Sequence, residues 1–220
     1  MKLHAPILIL LLLKVSFSDA QTCRCRELDA NKEISISSLL NSPESFCTAK
    51  GFEKLTSQFL NDKNLDSAAH YLQLAEALYQ KEACNKEQWI PVYKLRSALH
   101  FSQAEYEKSL EYSLKMLPFA QEKGNKEEEA ELLLGISQIF ARMKQLEKGL
   151  DYTRQSLPLI EIIKPGPSKV DLLNKAGSRF YFFFQDTKSP SLFDSARLYF
   201  NAALRIAKDI NYKEGNAGEL

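Results

Sequence analysis

The sequence contains few of the residues and motifs on which catalysis and metal binding depend. Histidine occurs only three times in 220 residues, as His4, His70 and His100, and none has a Cys, Asp or Glu at the spacing of metal ligands. The patterns G-x-S-x-G, H-E-x-x-H and G-x-G-x-x-G and the Walker pattern are all absent. These absences predict a protein that is not an enzyme and that carries no cofactor and no metal.

Charge of one sign is not in excess either. The chain has 29 Lys and Arg residues against 28 Asp and Glu residues, so its formal net charge is +1, and no long basic or acidic block occurs. Nucleic acids and anionic membrane surfaces both attract proteins that carry an excess of positive charge. We therefore expect neither nucleic acid nor a membrane surface as the partner.

No apolar run is long enough to cross a membrane. The longest, Ala5 to Leu13, has less than half of the roughly 20 residues that a spanning helix needs. Lys2 precedes this run, and Ser18-Asp19-Ala20 follows it with small residues at a cleavage position. This arrangement predicts a signal peptide at 1–20 that is cut before Gln21, and hence an exported protein in the periplasm or another extracytoplasmic space.

An internal repeat is the most prominent feature that the sequence does contain. One pattern of apolar and small residues occurs four times, most clearly at 104–118, and each copy has a small residue at the same place: Ala68, Ser109, Gly149 and Ala196. These positions lie 41, 40 and 47 residues apart. A small side chain is expected there because two helices cross closely. We interpret the longer last interval as the same step plus an extra loop around 186–191.

The copies have apolar residues at helical spacing, and no segment alternates as a strand would. The chain is therefore predicted to be all-α. We expect an N-terminal lead-in and capping segment at 21–48, followed by helix-turn-helix units that together fill 49–209, at about 49–82, 89–123, 126–164 and 168–209. Residues 210–220 are similar to the beginning of another unit, so the sequence is expected to be a fragment of a longer product, with a possible downstream domain in the same polypeptide.

The repeat pattern resembles the tetratricopeptide repeat (TPR). The resemblance is carried by residues such as Tyr106, Ser109, Leu110 and Tyr112, and it extends over about 49–209. It implies a right-handed TPR superhelix, an α-solenoid of about four helix-turn-helix repeats. The unit of about 40 residues and the segment ARLYFNAALRIAKDINYKEGNA are similar to the extracytoplasmic TPR arrays of bacterial membrane sensor histidine kinases and regulators.

The resemblance also implies where a partner would bind. The first helices of successive repeats line the concave side of a TPR superhelix, and such a groove takes an extended peptide or a partner helix. We therefore expect a protein or peptide ligand in the superhelix groove. The candidate concave binding face consists of Lys94, Ala98, Phe101, Gln138, Arg142, Asn174, Ser178 and Tyr181.

Five consecutive aromatic residues at 180–184 exceed what one helix face can bury. Either neighbouring loops cover the excess, which we favour, or part of the run lines a groove or a further contact.

The four cysteines, Cys23, Cys25, Cys47 and Cys84, are interpreted as disulfide-forming because their number is even and the chain carries a predicted export signal. Cys47 precedes the first helix of the first repeat and Cys84 follows its second helix, so a helical hairpin would bring both to the same end. We predict a Cys47 to Cys84 bridge. The alternative is a pair of free, half-buried thiols.

The sequence as a whole predicts a non-enzymatic protein-protein interaction module, the exported sensing or docking part of a larger signal-transduction protein. The alternative is a free-standing periplasmic TPR adaptor for envelope assembly or transport. A third reading, an enzyme whose catalytic domain has been lost, is the weakest of the three.

Overall fold

The computed structural model describes residues 23–30 and 34–212, and this part of the chain contains ten helices and no strand. The predicted signal peptide at 1–20 and most of the predicted further repeat at 210–220 lie outside the described residues. The helices are α1 (Arg26–Ala30), α2 (Ile36–Leu40), α3 (Ser45–Asn61), α4 (Leu65–Lys81), α5 (Ile90–Ser102), α6 (Tyr106–Glu122), α7 (Lys126–Arg142), α8 (Leu146–Ile162), α9 (Pro167–Thr187) and α10 (Pro190–Asp209). The predicted all-α class is confirmed.

The helices pack in adjacent pairs, α3 with α4, α5 with α6, α7 with α8 and α9 with α10, and the pairs stack in chain order as in an α-solenoid. The turn inside a pair depends on one residue with left-handed backbone, such as Ala104 at φ 59°. There, the N–H of Ala104 donates to the carbonyl of Phe101 at 3.1 Å, and the N–H of Glu105 donates to that of His100 at 2.8 Å. Lys63 and Lys144 repeat this geometry, so the first three pairs reverse direction in the same way.

The recurring small residues are buried where paired helices cross, as their spacing predicts. Ala68 and Ser109 are fully buried, and Ala196 is 2% exposed. Gly149 has the least room, because an added Cβ would lie 2.7 Å from Cζ of Phe183 and 3.1 Å from the backbone oxygen of Ser137. A backbone oxygen cannot move aside as a flexible side chain can. Glycine at this position therefore allows α8 to pack closely against both α7 and α9.

The longer interval before Ala196 is not a loop, and the predicted insertion around 186–191 is wrong in this respect. Helix α9 continues to Thr187 and α10 begins at Pro190, so only two residues separate them. Lys188 takes a left-handed conformation at φ 59°, which ends α9, and proline is well suited to the first position of the following helix. The additional residues thus lengthen both helices at their connected ends.

Two disulfides attach the lead-in to the first long hairpin, and the predicted Cys47 to Cys84 bridge is wrong. Cys23 is bonded to Cys84 and Cys25 to Cys47, with Cα separations of 5.4 and 4.8 Å, so neither Cys47 nor Cys84 is a free thiol. The lead-in passes between the beginning of α3 and the turn after α4. Cys25 is bonded to Cys47 in α3, and Cys23 is bonded to Cys84 in the turn after α4. Disulfides of this kind are typical of an oxidising, exported environment.

The short helix α2 covers the beginning of the array. Leu39 is fully buried, and an added Cβ at Gly51 of α3 would lie 2.9 Å from Cδ2 of Leu40. The lead-in thus shields an apolar face that the first hairpin would otherwise expose to water.

Candidate functional site

A slot opens between the first helices of two neighbouring pairs. Helix α3 packs against α5, and α7 packs against α9, but α5 and α7 are not in comparable contact, and α6 forms the floor between them. The slot encloses about 340 Å³. It is lined by Ile90, Lys94, Ser97, Ala98, Phe101, Ser102, Ser109, Ser113, Met116, Glu128, Glu131, Leu132, Gly135, Gln138 and Ile139. Four of the eight predicted concave residues, Lys94, Ala98, Phe101 and Gln138, are therefore brought together.

The interior of the slot is suited to an apolar side chain. Phe101, Leu132 and Ile139 supply apolar walls, and Met116, which is 4% exposed, lies at the floor. An added Cβ at Gly135 would meet no atom within 4 Å, so the helix surface is open at that point.

The hydroxyls of Ser97, Ser109 and Ser113 in the slot already have partners. Ser97 Oγ lies 2.7 Å from Ser113 Oγ and donates to the backbone oxygen of Ser109 at 3.0 Å. Hydroxyls that bond to one another leave few polar groups for a ligand, so the floor contributes shape more than hydrogen bonds.

A row of alternating charges borders the slot on the side of the α7 N-terminus. Lys94 lines both the slot and a neighbouring cavity of about 500 Å³ that reaches α9. In this cavity Lys175 Nζ donates to Glu131 Oε1 at 2.7 Å. Burial raises the pKa of Glu131, but the hydrogen bond from Lys175 and the charges of Lys175 and Lys94 outweigh burial and lower it. Glu131 therefore stays ionised, and the row offers a polar rim of both signs.

Two arginines lie on the other side of Gln138, between α7 and α9. Arg179 Nη2 donates to Gln138 Oε1 at 2.8 Å, while its Nε is buried without a hydrogen-bond partner. Arg142, one of the predicted concave residues, is exposed and places its guanidinium 5.8 Å from the ring centroid of Phe182. Arg142 is thus outside the slot but next to a cation that was not among the predicted site residues.

The structure does not bring the remaining three predicted residues to the slot. Asn174 is half-buried and Ser178 is exposed on α9, and Tyr181 packs against Phe184 with ring centroids 6.1 Å apart. These residues are one helix pair beyond the slot, so their assignment to a binding face stays a prediction.

The aromatic run at 180–184 is packed mainly by helices and not by loops. Phe180 and Phe183 are buried, and the other three members are half-buried. Phe180 stacks on Tyr199 of α10 at 5.4 Å, and Phe184 lies 5.2 Å from Phe193 of the same helix. The lengthened α9 and α10 supply the additional apolar surface that the run needs.

His100, Cys25 and Cys47 make contacts that explain their positions. His100 Nδ1 lies 2.6 Å from Glu105 Oε2, and its ring stacks on Tyr112 at 5.7 Å. Cys25, Glu44 and Cys47 lie close together, as metal ligands do, but the two sulfurs are bonded to each other and offer no thiolate.

Comparison with known proteins shows a likeness of fold. No family model matches the chain, and no curated protein matches it. The chain is similar in structure to BtubC (BKLC) from P. vanneervenii, whose crystal structure has been solved. The TM-score is 0.50, and the likeness covers 87% of this chain and 91% of that chain. The two sequences are 14% identical, so the likeness concerns the fold alone. Among the described helices, none has both the length and the apolar character required to cross a membrane.

Proposed function

We propose that the protein is a non-enzymatic module for protein-protein interaction that binds an extended peptide segment of its partner. The observation that carries the proposal is the slot between α5 and α7. Its walls are apolar, its rim is charged, and it encloses about 340 Å³, which is enough for a large apolar side chain. A peptide that crosses the slot would bury one such side chain and leave its backbone along the rim.

The finer assignment belongs to the same proposal. The helix pairs, the turns repeated at Lys63, Ala104 and Lys144, and the 40-residue spacing favour a right-handed TPR superhelix of about four repeats. The disulfides favour an extracytoplasmic location, reached with the signal peptide at 1–20. We place the module in the sensing or docking part of a larger signal-transduction protein, as the resemblance to extracytoplasmic sensor arrays implies.

A blocked slot tests the proposal. Ala98 is exposed and lines the slot, so Ala98→Trp fills the cavity from its wall without disturbing the helix core. The protein is used to select binders from a displayed library of random decapeptides, and the affinity of the selected peptides is measured by fluorescence anisotropy. We expect Ala98→Trp to weaken their binding at least tenfold, because the ring occupies the space of the ligand side chain.

The matched control is Gln155→Trp, which adds the same side chain at an exposed position of α8 outside the slot. It should bind the selected peptides as the unmodified protein does. Failure to select any peptide, or equal loss of binding in both variants, would count against a peptide-binding slot.

A further inference from the structure

Arg179 occupies a position at which the two repeats before it have buried aliphatic residues. It lies 40 residues after Ile139, which itself lies 40 residues after Leu99, and those two side chains are 3% and 1% exposed. An aliphatic residue would fill this place between α7 and α9 at no electrostatic cost. Arg179 is half-buried, and its burial together with the charge of Arg142 lowers its pKa to about 10.

The charge of Arg179 is not neutralised within the described part of the chain. Neither Arg179 nor Arg142 has a carboxylate within ion-pair distance there, and one N–H of Arg179 has no acceptor. Asp186, which lies on the same helix as Arg179, is already engaged, since its Oδ2 accepts from Lys144 Nζ at 3.1 Å. A buried donor without an acceptor is costly, and two cations on adjacent helices repel each other. An external carboxylate would offset the repulsion between the two cations.

We propose that Arg142 and Arg179 form a carboxylate-binding subsite of the groove, which receives the side chain of an Asp or Glu within an extended peptide. The inference rests on the proposed function, because the same peptide places an apolar side chain in the slot. Guanidinium groups bind carboxylates through paired N–H donors, and the exposed guanidinium of Arg142 has no ion pair within the described residues. Gln138 connects the two parts, since it lines the slot and holds Nη2 of Arg179.

The geometry also sets the spacing of the two peptide residues. The slot lies between α5 and α7, and the arginines lie between α7 and α9, so the two subsites are one helix apart. Packed helix axes are about 8–10 Å apart, and an extended chain advances about 3.3 Å per residue. The acidic residue should therefore be about three residues from the apolar residue.

Defined peptide pools test the subsite. One pool of decapeptides, acetylated and amidated at the ends, has Leu at position 4 and Glu at position 7, and a second pool has Gln at position 7 instead. The other positions are mixtures of Ala and Ser. We expect the Glu pool to bind the unmodified protein about tenfold more tightly than the Gln pool, and we expect Arg142→Gln and Arg179→Met each to remove this preference. A third pool consists of shorter peptides that end at position 7, where Gln carries a free C-terminal carboxylate.

The controls separate the subsite from the fold and from the slot. Arg154→Gln removes an exposed charge from α8 and should keep the preference for Glu. Arg179→Met should fold, since aliphatic residues occupy the equivalent places, and thermal unfolding checks this. If the Glu and Gln pools bind equally well and Ala98→Trp abolishes the binding of both, the subsite is overturned but the slot is not. Tighter binding of the free-carboxylate pool than of the Glu pool overturns the choice of an internal acid, and no binding by any pool overturns both proposals.

Discussion

The first and last long hairpins of the array have the same shape but are held together by different interactions. The pair α3 and α4 is linked through the lead-in by two disulfides and contains a polar network in which Glu53 and Lys50 both contact the hydroxyl of the fully buried Tyr79. The pair α9 and α10 has no cysteine and is joined by aromatic rings. One backbone arrangement can thus be stabilised by apolar packing alone or by apolar packing together with cross-links and polar contacts.

The difference follows from what covers each end. On the side away from α5, the described residues that cover the first hairpin form a short lead-in, and a small apolar contact needs covalent reinforcement to persist. The last hairpin has longer helices of 21 and 20 residues, which bury more of each other's surface. We therefore expect damage to either end to remain largely local, as is typical of repeat arrays.

Removal of the Cys23 to Cys84 bridge should have the largest effect. Cys23→Ala combined with Cys84→Ala opens a loop with a sequence separation of 61 residues, and we expect a loss of about 4 kcal/mol in the free energy of unfolding. Hydrogen exchange should show lost protection in α3 and α4 but retained protection in α9 and α10.

The second bridge is the matched comparison. Cys25→Ala combined with Cys47→Ala opens a separation of only 22 residues, so its entropic cost is about 3 kcal/mol, although both cysteines are also more buried. Uniform loss of protection along the whole chain in either double variant would contradict local reinforcement.

Crowding at Gly149 should weaken the packing of α8 against Phe183 of α9. The added methyl of Gly149→Ala would meet the ring of Phe183 and a backbone oxygen, and overpacking should exceed the helix-forming advantage of alanine, for a net loss of about 1 to 2 kcal/mol. Urea unfolding measures it. Gly135→Ala is the control, because its Cβ meets nothing within 4 Å and the substitution should stabilise the protein slightly. Stabilisation by both substitutions would show that Phe183 can move aside.

High pH should selectively weaken the polar first hairpin. Burial, and then the negative charge and hydrogen bond of Glu53, raise the pKa of Tyr79 above its ordinary value near 10. The folded protein keeps this proton where the unfolded chain releases it, so stability from this group is constant below pH 10 and falls above it. The expected loss between pH 10 and 11 is about 1 kcal/mol.

The measurement compares urea unfolding of the unmodified protein and Tyr79→Phe at both pH values. The variant should lack this part of the pH dependence. Tyr199→Phe is the counterpart in α10, where burial and then Glu161 raise the pKa of a half-buried tyrosine, so its effect should be smaller. Identical pH dependence of the unmodified protein and Tyr79→Phe would contradict the assignment to Tyr79.

Features that depend on local periodicity were predictable from the sequence. The helical spacing of apolar residues indicated an all-α chain, and the small residues Ala68, Ser109 and Ala196 are buried as expected. The concave face was predictable in part, because Ala98 and Gln138 are 40 residues apart and do line one slot.

Features that depend on the distance between elements were not predictable. The slot exists because α5 and α7 separate while α7 and α9 pack together, and the sequence has no periodic signal for that difference. Arg179 was overlooked as a site residue because it lies at a packing position. Comparison with Ile139 at the same place in the preceding repeat could have identified it.

The sequence by itself determined the all-α class, the positions of the close helix crossings and the two faces of each helix, because these depend on neighbours within a few turns. Only the tertiary structure decided which cysteines are bonded, that the insertion before Ala196 is helical, and that the slot opens between α5 and α7. Those outcomes depend on how far apart distant segments lie once the helices have packed, and disulfide formation requires Cα atoms within a few ångströms of each other.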